Sequence, residues 1–238
     1  MTPLVQVRGL RFRYEDGTEA LKGVDFRLEA GETVALFGAN GSGKTTFVLH
    51  LNGLLTGEGQ VEICGLAAEK KNIAQIRRKV GIVFQDSDSQ LFMPTVLEDV
   101  AFGLLNRGFD HTSAVTRAQA ALRTVGMSGA ASRAPYHLSA GEKKRVAIAG
   151  IVAMEPEILV LDEPTASLDP PGQRSLAELV AHLPQAKILV THDIPFALAL
   201  CQRAVFFQDG SIAAEGTVED IVSRFDWDFT FERSKLRR

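Results

Sequence analysis

The chain has 238 residues, 45% hydrophobic, 23% charged and 7% aromatic, an ordinary globular composition that excludes a disordered, collagen-like or low-complexity chain. Its 26 Lys and Arg against 29 Asp and Glu leave a net charge of −3, without the basic excess of a nucleic-acid or anionic-membrane binder. This length can bury the core of one large domain or two subdomains.

Cys64 and Cys201 sit in neither a CxxC nor a Cys/His spacing, which predicts reduced, buried thiols and fits a cytoplasmic protein. The N-terminal residues carry no h-region and no cleavage site, so no signal peptide is expected. The longest apolar run, residues 146–154, falls well short of the ~20 residues that span a bilayer. A membrane role would have to come through a partner.

In chain order, Val5, Val7, Leu10, Phe12 and Tyr14 alternate strictly with polar residues including Arg8, Arg11 and Arg13. After Asp16-Gly17, Val24, Phe26 and Leu28 alternate with Asp25, Arg27 and Glu29. Period two around a turn predicts an antiparallel β-layer with one wet face. Residues 33–37 form a short continuous apolar run, as in a strand buried on both faces, and a glycine-rich turn follows. Residues 44–55 then carry a helix pattern that stops near Gly57. Three more runs, residues 80–84, 158–161 and 188–190, suit buried strands of a parallel sheet joined by long crossovers. Residues 95–154 are rich in helix formers and read as an inserted helical subdomain. Residues 204–208 and 211–214 flank Asp209-Gly210, a favoured hairpin turn. Lys70–Lys71 and Arg77–Lys79 read as solvated helix faces. The organisation is one α/β domain over 1–238, with a core and β-layer at 1–90 and 156–238 and a helical part at 91–155.

Gly38, Ala39, Asn40, Gly41, Ser42, Gly43, Lys44 and Thr45 match GxxxxGK[ST] between a predicted strand and a predicted helix. Glycines let the backbone turn tightly, so that successive N–H groups face phosphate oxygens. The helix N-terminus adds its positive dipole end. Lys44 brings a mobile charge for the β- and γ-phosphates and Thr45 a hydroxyl for Mg²⁺, with Thr46 next in the helix. This is a nucleotide site. Asp162 and Glu163 close the run 158–161, where doubly wound sheets bind ligands. Asp162 is expected in the Mg²⁺ shell and Glu163 as the group that polarises an attacking water. With no second-substrate motif evident, the chemistry reads as phosphoanhydride hydrolysis.

Leu138, Ser139, Ala140, Gly141 and Glu142, followed by Lys143, Lys144, Arg145 and Val146, precede this acidic pair. With the phosphate loop upstream, the segment resembles the signature motif of ATP-binding cassette (ABC) ATPases, and the resemblance spans almost the whole chain. It implies an α/β P-loop NTPase fold: a RecA-like parallel sheet core, an antiparallel β-layer and an inserted helical subdomain. ATP and Mg²⁺ are the implied ligands. Gln85 matches the Q-loop, beside Mg²⁺; Asp169, in Ser167-Leu168-Asp169, matches the D-loop. His192 matches the switch histidine at the γ-phosphate, and Tyr14 the aromatic that stacks on adenine. Read singly, Tyr14 is sheet surface, His192 a structural histidine and Asp169 the start of a turn; the motif context gives them these roles. The resemblance also implies a head-to-tail dimer in which Ser139 and Gly141 of one chain face the γ-phosphate held by the other. Ala140 and Glu142 depart from the common Leu-Ser-Gly-Gly-Gln, and Glu142 puts an acid where a neutral amide is usual.

Residues 84–103, with 143–150 and 161–170, resemble ATPases of energy-coupling factor transporters, including the cobalt and nickel importers. That resemblance implies a transmembrane coupling subunit, a substrate-binding membrane subunit and a second ATPase subunit, identical or paralogous. It places the chain at the cytoplasmic face of the cell membrane, with no nucleic-acid partner. Leu91, Phe92 and Met93 form an apolar patch that either meets a coupling helix or belongs to the helical core. Only about twenty residues follow Glu219, fewer than in many vitamin-type members, which leans toward cobalt or nickel with a biotin-type importer as the alternative. Soluble nucleic-acid cassettes insert coiled coils or carry two cassettes, and neither is present. A regulator without hydrolysis would not be expected to keep Lys44, Asp162, Glu163 and His192 together.

Overall fold

The computed structural model describes residues 2–227. In chain order its strands are β1 (Val5–Arg13), β2 (Glu19–Leu28), β3 (Thr33–Phe37), β4 (Glu58–Ile63), β5 (Leu66–Ala67), β6 (Val80–Val83), β7 (Ile158–Asp162), β8 (Ala186–Val190), β9 (Arg203–Gln208) and β10 (Ser211–Gly216). One sheet is antiparallel, in the order β2-β1-β4-β5. The other runs β10-β9-β3-β8-β7-β6 and is parallel from β9 to β6.

The expected alternation in β1 is not strict. Val7 and Leu10, three apart, both face the core. The register slips between them, and Gly9 there has φ +58. A bulge of this kind flips the side-chain phase by one residue, and the Gly9 N–H donates to Asp25 Oδ1 at 2.8 Å.

β3, β7 and β8 are buried at every position, because both faces of the parallel sheet are covered. Ile158, Val160, Ile188, Val34 and Leu36 pack toward the antiparallel layer with Phe26 and Phe47. Leu159, Leu161 and Leu189 point the other way, into a helical layer. This period-two division lets continuous apolar runs serve two cores at once. β9 is more than an arm of a terminal hairpin: it pairs in parallel with β3, Phe37 opposite Phe206, and carries β10 onto the sheet edge.

The helices are α1 (Lys44–Leu51), α2 (Ile73–Lys79), α3 (Val96–Asn106), α4 (His111–Thr124), α5 (Ala140–Val152), α6 (Pro170–His182), α7 (Ile194–Leu200) and α8 (Val218–Arg224). α1 ends four residues before the sequence pattern predicts. Gly53, at φ +68, turns the chain, and the Leu54 and Leu55 N–H groups both donate to Leu49 O. α3 starts at a capping box, with Thr95 Oγ1 accepting from the Glu98 N–H and Glu98 Oε2 accepting from the Thr95 N–H. α3, α4 and α5 share one core with Leu159, Leu161 and Leu176, so the helical part has no separate interior.

Both thiols are half-buried rather than buried, and free. Desolvation pushes each up to about 12, with Glu157 adding to the effect at Cys64, which leaves them protonated and inert. The basic cluster of α2 is only partly a solvated face. Lys79 pairs with Glu157, and Arg77 donates to Gly53 O at 3.1 Å, fastening α2 to the sheet and to the end of α1. The tail beyond α8 that carries the length argument, residues 228–238, lies outside the described residues.

Candidate functional site

The loop between β3 and α1 is built so that little but glycine fits its turns. Gly38 has φ +136 and Gly43 φ +107. A Cβ on Gly38 would run into the Phe207 carbonyl oxygen, and one on Gly43 would lie 2.7 Å from Ala20 O. Gly43 caps α1 without any side-chain hydrogen bond, and the first turn carries no acid. Its N–H groups therefore remain for an anion. The buried Lys44 ammonium curls back over the loop, donating to Gly38 O at 2.6 Å and Ala39 O at 2.9 Å. Burial lowers its proton affinity, opposed by Glu163 and Asp162. Ser42 Oγ is buried with no partner. An orphan hydroxyl, a lysine satisfied by its own loop and an uncapped helix make a cradle suited to phosphate.

A cavity of about 620 Å³ opens beside this loop, lined by Tyr14, Asn40, Gly41, Gly43, Lys44, Thr45, Thr46, Gln85, Asp162 and Glu163. Its volume suits a small-molecule ligand. Tyr14 is half-exposed at the rim, shares a 2.9 Å hydrogen bond with Thr46 Oγ1 and meets the edge of Phe12. Asp162 and Glu163 are both held above the usual carboxylate range, chiefly by burial. Lys44 and Lys144 oppose this at Asp162; the His192 N–H opposes it at Glu163. Glu163 has φ +43, an uncommon conformation for a non-glycine residue. The strand edge over-determines it: the Glu163 N–H donates to Val190 O at 2.8 Å. His192 Nε2 lies 3.3 Å from Glu163 Oε1, and the His192 backbone N–H donates to Glu163 Oε2 at 3.3 Å.

Ser139, Gly141 and Asp169 are not on this cavity wall. Each acid or hydroxyl among them caps a helix. Ser139 Oγ accepts from the Glu142 N–H at the start of α5, and Asp169 Oδ1 accepts from the Gly172 N–H at the start of α6. Both Glu142 carboxylate oxygens are engaged: one accepts from the Ser139 N–H at 2.8 Å, the other from Arg133 at 2.7 Å. Those two partners hold its carboxyl below the usual range, the Ser139 N–H first.

Two features escaped the sequence reading. The β9–β10 turn, Asp209-Gly210, is at the cavity wall, and the Gly210 N–H donates to Ser42 O at 3.1 Å, bracing the phosphate loop. The hairpin was legible, its place against the loop was not. Lys144, almost fully buried, donates to Phe84 O at 3.1 Å and Gln85 O at 2.8 Å. No sequence signal marks it, since a lysine in a basic run is ordinarily solvated.

Residues 21–166 match the family model described as ABC transporter, more than half of the chain. The chain belongs to the ABC transporter family. A putative ABC transporter ATP-binding protein of Streptomyces avermitilis is 54% identical over 222 residues, covering 93% of this chain and 85% of the relative. The energy-coupling factor transporter ATP-binding protein EcfA of Methanosphaera stadtmanae is 48% identical, covering 93% of this chain and 82% of its own length. Among solved structures, cbiO1 of Clostridium perfringens, part of the ABC transporter complex cbiONQ, superposes with a TM-score of 0.84 at 35% identity, covering 95% of this chain and 93% of that one. The cassette MJ0796, in a dimeric post-hydrolysis state bound to ADP and Pi, gives 0.80 at 29% identity, covering 90% and 98%. The fold is accordingly the α/β P-loop fold of these cassettes, and the chain is an ATPase that uses ATP with Mg²⁺.

Proposed function

We propose that this ABC ATPase is the motor subunit of an energy-coupling factor-type importer, peripheral at the cytoplasmic face of the membrane. Its proposed cargo is a divalent transition metal ion, cobalt or nickel, with a biotin-type vitamin as the alternative. The observation that carries this reading is the near full-length similarity to EcfA together with that to cbiO1. No helix among the described residues is long and apolar enough to cross a membrane, so translocation falls to partners: a transmembrane coupling subunit and a substrate-binding membrane subunit.

In this reading the loop N–H groups from Gly38 to Thr46, including Ala39, Asn40, Gly41 and Ser42, hold the phosphates, and Lys44 neutralises their charge. Tyr14 stacks on adenine. The hydroxyl of Thr45, the carboxylate of Asp162 and the amide of Gln85 are hard oxygen donors on one wall, the set that suits Mg²⁺. When bound, Mg²⁺ offsets phosphate charge. Glu163 orients and polarises the water, while His192 supports Glu163 and reaches the γ-phosphate. Ser139, Gly141 and Asp169 lie off the wall of their own cavity. They act on nucleotide held by a second ATPase subunit, identical or paralogous. Residues 91–155 then form the helical part that presents Ser139 and Gly141, joined to the core at 1–90 and 156–238.

The apolar patch after Gln85 divides. Leu91 packs against the helical core, whereas Phe92 is 62% exposed and meets the edge of Phe102 at 5.0 Å. Phe102 and Leu105 are also exposed, which leaves an apolar surface on α3 next to the loop that carries Gln85. Phe92→Asp should leave basal ATPase of the isolated chain intact, since nothing in the phosphate cradle changes. It should sharply reduce co-purification with the coupling subunit, because a charge enters an apolar contact. Ala67→Asp, on the exposed strand β5, is the control that should bind normally. Normal co-purification of Phe92→Asp would place docking elsewhere. Affinity purification of the tagged chain from native membranes should bring down both membrane subunits; their absence would defeat the importer reading.

A further inference from the structure

His192 sits on a well-fixed backbone but carries a loosely held side chain. Thr191 Oγ1 accepts from the Asp193 N–H at 3.0 Å, and Asp193 Oδ1 accepts from the Phe196 N–H at 2.9 Å to cap α7. The imidazole itself is 41% exposed, with Glu163 at 3.3 Å as its side-chain polar neighbour. A half-exposed ring with one long polar contact among the described residues would exchange rotamers in nanoseconds.

An aromatic side chain from the far end of the described chain restrains it. The Trp227 indole stacks on the His192 ring, with centroids 5.6 Å apart and planes at 27°. Trp227 is fixed in turn. Its backbone N–H donates to Val222 O at 3.0 Å at the end of α8, and its ring meets Phe206 edge-on at 5.0 Å. Phe206 is buried in β9 and stacks on Phe225 at 3.8 Å. A packed aromatic path thus runs from the central sheet, through Phe206 and Trp227, to the ring beside the candidate catalytic carboxylate. Such aromatic contacts have preferred geometries and resist rotation.

We propose that Trp227 is a positioning residue for His192: the indole holds the imidazole toward Glu163, so that α8 and β9 set the orientation of the switch histidine. The inference rests on the role given to His192 under Proposed function. The chain contains one tryptophan, so its emission reports the surroundings of Trp227, which His192 and Phe206 share.

The test uses the full-length purified chain. His192→Ala should change Trp227 emission before any nucleotide is added, because the ring it stacks on is gone; unchanged emission would overturn the proposal. Trp227→Ala should lower kcat by roughly three- to tenfold, the rate equivalent of one aromatic contact, with the KM for ATP unchanged. Trp227→Phe should restore most of the loss, which also separates positioning from a folding defect. The double variant Trp227→Ala/His192→Ala should be no slower than His192→Ala alone. Wild-type kcat in Trp227→Ala, a raised KM with kcat unchanged, or additive losses in the double variant would each overturn the proposal. If His192→Ala hydrolyses ATP at the wild-type rate while the emission change persists, the contact is upheld and the functional role of His192 falls.

Discussion

Glu163→Gln should retain ATP binding and slow hydrolysis by ~10²–10⁴-fold, the usual contribution of a positioned general base. The amide keeps the shape of the side chain and can still accept the 3.3 Å hydrogen bond from the His192 N–H. It cannot take a proton from water. The native carboxyl is suited to that task because burial and the neighbouring Asp162 raise its proton affinity. The backbone at φ +43 is held by the Val190 carbonyl, and this bond does not depend on the side chain. Steady-state phosphate release beside equilibrium ATP binding separates the two effects. A wild-type rate in Glu163→Gln would place the catalytic carboxylate elsewhere.

Mixing two inactive variants should restore activity if each site needs two chains. Lys44→Ala removes the ammonium that closes the phosphate loop, so this chain should bind nucleotide weakly. Ser139→Arg places a bulky cation at the start of α5, off the wall of its own cavity, so this chain should keep its cradle. Each homogeneous preparation should be almost inactive. A mixed dimer can pair the intact cradle of the Ser139→Arg chain with the intact Ser139 of the Lys44→Ala chain, giving one competent site. Specific activity of the wild type should also rise with protein concentration as dimers form. Full activity of a demonstrated monomer would defeat the shared-site scheme.

Much of this arrangement is legible in the residues because apolar runs and glycine-rich turns report local constraints directly. Thr33 to Phe37 can be a buried strand and little else, and the loop after it matches a motif whose glycines the structure shows to be sterically required. Where two local signals compete, the reading slips. The β1 pattern conceals a change of phase at Gly9, because one extra residue still leaves apolar positions two apart on either side. α1 ends at Leu51 rather than near Gly57 because the positive φ that turns the chain falls at Gly53, while Gly57 packs against the Arg11 carbonyl. Partners distant in sequence were out of reach altogether. Nothing local announces that Arg133 would neutralise Glu142, that Lys144 would hold the carbonyl of Gln85, or that Trp227 would lie on His192. Those contacts depend on how α5, the loop after β6 and α8 meet in space.

The central claim is that ATP hydrolysis at this site drives solute uptake through membrane partners. The direct measurement is uptake of radiolabelled cobalt or nickel into vesicles reconstituted with this chain and the membrane subunits that co-purify with it. Accumulation should require MgATP on the side bearing the ATPase and should vanish with Glu163→Gln, although the complex still assembles. Accumulation that proceeds equally without ATP, or is undiminished by Glu163→Gln, would contradict the account.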